Sequence, residues 1–101
     1  MIVEVLYFEG CPNYRDAVSL VERAAATLGA SVELRLVPVV AREAAERLRF
    51  LGLPTIRMNG RDVEPGAEER TDYALACRVY ATPAGLRGLP AESWIRDALA
   101  A

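Results

Sequence analysis

The run Ile2-Val3-Glu4-Val5-Leu6-Tyr7-Phe8 is β-branched, aromatic and almost continuously apolar, and it stops abruptly at Glu9-Gly10-Cys11-Pro12. A strand with so little polar alternation needs cover on both faces, which places it inside a sheet rather than at an edge. Pro12 suits the first position of a helix, where its missing N–H costs nothing. Ala17, Val18, Val21, Ala24, Ala25 and Leu28 then recur at three- and four-residue spacing, and Gly29 suits the C-terminal cap. Strand, tight turn and helix in this order call for a second strand parallel to the first, reached by a right-handed crossover. The opening of the chain therefore restricts it to the α/β class.

The rest of the chain fills in that plan. Ser31 to Val37 alternates, with Val32, Leu34 and Leu36 on one side and Glu33 and Arg35 on the other, which fits a half-exposed strand near the sheet edge. Helical spacing returns at Ala41, Ala44, Ala45, Leu48 and Leu51, with Gly52 as the stop. Leu53 to Met58 reads as a short strand. Asn59-Gly60 is a strong hairpin signal, with Arg61 to Glu64 returning as the partner. A last helix spans about Pro90 to Ala100 and buries Trp94, Ile95, Ala98 and Leu99. Residues 65–90 read as an irregular insertion or as one extra strand. Within them Leu75 to Tyr80 suits a strand or a helical turn, and Thr82-Pro83-Ala84-Gly85 a turn.

At 101 residues the chain fits a single domain, 1–101, with one packed core. Its apolar start is short and lacks a basic leader, so it reads as a strand rather than a signal peptide, and the expected compartment is the cytoplasm. No stretch approaches a membrane span. The net charge is −2 with acids and bases interleaved, which gives no basic stripe for nucleic acid. There is no histidine, and every basic side chain is arginine. Histidine general bases, Cys-His pairs, lysine Schiff bases and His-ligated zinc are thereby excluded.

Cys11 and Cys77 carry the remaining chemistry. Cys11 falls at the end of the first strand and at the cap of the following helix, where open backbone N–H groups and the helix dipole favour a thiolate. Glu9 opposes that charge, and Arg15 lies one turn along. The plain alternative is a buried cysteine acting as a small hydrophobe. Cys77 reads equally as a core cysteine on an apolar strand or as a second working thiol. Arg78 beside it should face the other way if the segment is a strand. Tyr14 reads as a packing residue or as a hydroxyl near the Cys11 sulfur. Tyr7, Phe8 and Tyr80 read as core, or as the wall of a groove beside Cys11, and Trp94 as a packing anchor.

The strand, then Gly10-Cys11-Pro12-Asn13-Tyr14 and a helix, with Gly52-Leu53-Pro54-Thr55 later opening another strand, resembles the thioredoxin superfamily. The resemblance covers residues 1–64 and the last helix. It implies a three-layer α/β/α sandwich with a mixed four- or five-stranded sheet. It also implies Cys11 as the attacking cysteine, Pro54 as the cis-proline, and Leu53 as the residue whose backbone pairs with a substrate chain. The hairpin from Pro54 to Glu64 resembles the glutaredoxin branch. Tyr7-Phe8-x-Gly10-Cys11-Pro12-Asn13, with Leu75-x-Cys77-Arg78-Val79-Tyr80 and Thr82-Pro83-x-Gly85-Leu86, resembles a bacterial thioredoxin-like group. Some members of that group carry selenocysteine and some are labelled as relatives of alkylmercury lyase.

Tyr14 stands where a dithiol motif would have its second cysteine, so exchange within Cys11-x-x-Tyr14 is impossible. A mixed disulfide at Cys11 would be released by an external thiol or by Cys77. The expected function is thus a thiol redox protein acting through Cys11 and Cys77, supported by Pro12, Tyr14, Leu53 and Pro54. It needs no cofactor, and its partner is a protein or small-molecule disulfide or thiol. Two alternatives stand beside it: a soft-metal or organomercurial module using Cys11 and Cys77 as thiolates, and a non-catalytic adaptor domain.

Overall fold

In the computed structural model, which describes residues 1–9 and 13–101, the first strand is β1, Ile2–Tyr7. It is central as its composition requires. It pairs in parallel with β2 (Glu33–Pro38) and antiparallel with β3 (Thr55–Met58), and β3 pairs antiparallel with the two-residue β4 (Arg61–Asp62). The four-stranded sheet has the order β2-β1-β3-β4. Alternation along β1 sends Val3 and Val5 to one face and Leu6 to the other, and all three are buried. The described residues therefore form a mixed α/β fold with one mixed sheet and three α-helices.

The first face carries α1 (Asn13–Leu28) and α3 (Glu92–Ala100), which pack on each other. Ala17, Leu20, Val21, Ala24 and Ala25 of α1 meet Val3, Val5, Ile56 and Met58 of the sheet and Ile95 and Leu99 of α3. Small alanines let the helix lie close to the strands. The apolar stripe is rotated from its expected position: Leu20 is buried, whereas Leu28, in the last turn, is exposed. Trp94 and Ala98 are only partly buried against this cluster. α1 ends as Gly29 suggests. Gly29 has φ 62, and the N–H groups of Gly29 and Ala30 return to the carbonyls of Ala26 and Ala25, a Schellman closure.

The second cluster joins Leu6, Val39 and Leu53 to Ala44 and Ala45 of α2 (Arg42–Arg47) and to Phe50. α2 is shorter than its periodicity suggests. It stops at Leu48 because Arg49 takes the left-handed conformation, φ 56, and Phe50 N–H returns to the Ala45 carbonyl at 2.8 Å. Leu51 lies beyond the helix, and Gly52 is not its cap. The Asn59-Gly60 hairpin is as expected, with both residues at positive φ in a two-residue turn. Asn59 also fastens the start of β1: its Oδ1 accepts from Ile2 N–H at 3.2 Å. β2 is the outer strand, but its alternation is incomplete, since Leu36 is 48% exposed.

Residues 65–90 add no strand to the main sheet. They form one 3₁₀ turn at Ala67–Glu69, an extended segment, and a separate hairpin of β5 (Tyr80–Thr82) and β6 (Gly85–Arg87) around the Pro83-Ala84 turn. The segment before the hairpin touches the sheet through one parallel bridge, Leu53 to Cys77.

Candidate functional site

β4 pairs only with Arg57 and Met58, so the first half of β3 and the residues before it lack a neighbouring strand on that side. These residues are buried, and their backbone groups need partners within the protein. Residues 74–78 supply them. Ala74 N–H donates to Phe50 O at 3.0 Å, Leu53 N–H to Ala76 O at 2.9 Å, and Arg78 N–H to Leu53 O at 2.8 Å. The Leu53–Pro54 peptide bond is cis. Both backbone groups of Leu53 are thus engaged by the chain itself. The resemblance implied a substrate chain as the partner of that backbone; here the partner is the 76–78 segment.

The close approach depends on Gly52. It has φ 118, and a Cβ at that position would lie 2.9 Å from Arg78 Cβ and 3.0 Å from Ala76 O. Its role is to admit the 76–78 backbone, not to end a helix.

Arg78 latches the segment from beneath. Its side chain is fully enclosed, with Nη1 donating to Asp62 at 2.8 Å and to Thr55 Oγ1 at 3.1 Å, and Nη2 donating to Glu64 at 2.9 Å and to Asp62 at 3.1 Å. Thr55 in turn donates to Gly52 O at 2.6 Å. The guanidinium lies 4.2 Å from the Tyr80 ring centroid. Burial opposes its charge, but the hydrogen bonds it donates to Asp62 and Glu64 and the charge around it prevail, so its pKa is raised further. Arg70 extends the network, reaching Glu64 at 3.1 Å and Asp72 at 2.7 Å. The Tyr80 hydroxyl donates to Pro54 O, and burial pushes its pKa up, against the pull of Arg78. Sequence reasoning did not find this latch, because an arginine flanked by apolar residues reads as one exposed position on a strand.

Cys77 and Arg78 do face opposite ways: Arg78 is 3% exposed and Cys77 is exposed. Cys11 and Pro12 lie outside the described residues. On either side of them in sequence, Tyr7, Phe8 and Tyr14 pack against the cluster that contains Leu53, the bridge partner of Cys77. Tyr14 stacks on Tyr7 with centroids 4.7 Å apart, and its hydroxyl accepts from Arg15 Nε at 3.3 Å. Phe8 meets Phe50 edge-on. Tyr80 packs away from Tyr7 and Phe8, against Arg78 and Trp94. A groove of about 330 Å³ is lined by Tyr7, Phe8, Glu9, Pro38, Val39, Val40 and Leu75.

Among the described residues no group of three or more Cys, Asp or Glu is placed to hold a metal ion, and no helix is long and apolar enough to cross a membrane. No protein-family model, curated protein or solved structure matches the chain.

Proposed function

We propose that this chain is a thioredoxin-like α/β/α sandwich and a thiol redox protein, in which Cys11 attacks a disulfide and Cys77 resolves the intermediate. The observation that carries the reading is the Leu53–Cys77 bridge. It sets the second thiol position beside the cluster whose partly buried members, Tyr7, Phe8 and Tyr14, flank Cys11 in sequence. The two helices on one sheet face and α2 on the other support the three-layer arrangement.

The chemistry balances as two exchanges. Cys11 thiolate attacks R–S–S–R′, forming Cys11–S–S–R and releasing R′S⁻. Cys77 thiolate then attacks the Cys11 sulfur, releasing RS⁻ and leaving a Cys11–Cys77 disulfide. The protein is oxidised as the substrate is reduced, and two equivalents of an external thiol restore it.

Mass spectrometry after air oxidation and alkylation tests this. The expected product is a monomer lighter by two hydrogens, with both cysteines protected and both recovered after reduction. Such a bridge needs Cα atoms within about 7 Å. Two alkylated thiols after exhaustive oxidation would retire the two-thiol scheme.

A further inference from the structure

We propose that residues 74–78 close the sheet edge at Leu53 against extended peptides, so that the protein acts on small-molecule disulfides rather than on protein segments. This rests on the thiol redox reading above and narrows its substrate class.

An extended peptide docks on a sheet by pairing its backbone with an edge that has unmet N–H and C=O groups. At Leu53 neither group is unmet, because Ala76 O and Arg78 N–H hold them at 2.9 and 2.8 Å. Displacing the segment would also break the Ala74–Phe50 hydrogen bond and pull the enclosed Arg78 guanidinium from Asp62, Glu64 and Thr55. A peptide returning two backbone hydrogen bonds does not match that loss. Gly52, with its positive φ and no Cβ, shows that the backbone is shaped for this internal partner.

A small disulfide needs no edge. The groove beside Leu75 is lined mainly by Tyr7, Phe8, Val39 and Val40, and its roughly 330 Å³ suits one compact apolar substituent. Glu9, which is also in the lining, disfavours an anionic one. The substrate class is therefore an uncharged, compact, apolar disulfide.

The test uses the full chain with Cys77→Ser, which leaves Cys11 as its one thiol and keeps the backbone bonds of residues 76 and 78. Two probes share a leaving group: 4,4′-dipyridyl disulfide, and an extended peptide whose central cysteine is a pyridyl mixed disulfide. Each rate is divided by that of a free small thiol with the same probe. The expected result is a normalised rate for the peptide no higher than that for the small probe, whereas pairing at an open edge would favour the peptide by about tenfold or more, the scale set by two backbone hydrogen bonds. Gly52→Ala, which crowds the segment outward, is expected to raise the peptide's relative rate. Amide hydrogen exchange supplies a readout without chemistry, with Leu53 and Arg78 expected to be protected.

A normalised peptide rate about tenfold or more above that of the small probe, or unprotected exchange at both amides, overturns the proposal, whether or not Gly52→Ala folds. Protected amides together with a Cys11 that reacts no faster than the free thiol mark a different failure. The closed edge then stands, while the redox reading and the substrate assigned from it both fall.

Discussion

Tyr80 shows how much one buried hydroxyl can commit a fold to a pH range. It is fully enclosed, donates to Pro54 O, and has its pKa pushed above the ordinary 10.0 by burial. Up to about pH 10 the folded and unfolded chains both keep the proton, and the full stability is present. Above that the unfolded chain releases it and the folded chain does not, so stability falls by up to about 1.4 kcal/mol per pH unit. Urea midpoints at pH 8 and pH 11 should therefore differ by more in the parent than in Tyr80→Phe. At pH 8 the variant should be weaker by about 1–2 kcal/mol, having left the Pro54 carbonyl unpaired. An equal pH response in both proteins would remove Tyr80 as the cause. The sequence reading recognised Tyr80 as core but not its bond to Pro54, because no local pattern links positions so far apart.

At the scale of elements, the parts readable in advance were those whose signal is local. The unbroken apolar run marked β1 as central, Gly29 marked the end of α1, and Asn59-Gly60 marked the β3–β4 turn. α2 was misjudged in length because its stop is Arg49, a residue with no intrinsic preference for positive φ. Its left-handed conformation is maintained by the Schellman bonds, and its carbonyl accepts from Arg57 Nη2 at 2.8 Å. That arrangement uses the backbone of residue 49 and no hydrogen bond from its side chain, so Arg49→Gly should raise stability by about 1 kcal/mol by relieving the αL cost. A chemical denaturation curve checks this, and a loss of stability would show that the side chain contributes packing.

For the whole molecule, the decisive feature is the return of residues 74–80 to the sheet. Helices and hairpins form between near neighbours in sequence, but this segment joins Leu53 from twenty-four positions away. Its polar anchor is also buried, contrary to the usual fate of arginine. Those two facts made the 65–90 region unreadable, while the positions of Leu53, Pro54 and Cys77 could be singled out. Arg78→Ala should cost about 3–5 kcal/mol, since it leaves Asp62 and Glu64 clustered without their counter-charge. In a small domain with about 5–15 kcal/mol in total, that approaches unfolding at ambient temperature. Thermal melting reads the effect, and a shift no larger than that of an exposed arginine variant such as Arg42→Ala would deny the latch its weight.

The enclosure of that guanidinium also sets how the protein meets its ionic surroundings. Exposed pairs such as Glu33–Arg35 are weakened by dissolved salt, whose ions reach them within a Debye length of about 8 Å at physiological strength. Salt screens the Arg78 pairs much less, because its head group has no exposed surface and Asp62 and Glu64 are largely covered. The cover over Leu53 should thus stay shut in dilute buffer and in concentrated brine alike, making access to that edge a property of the chain rather than of the medium.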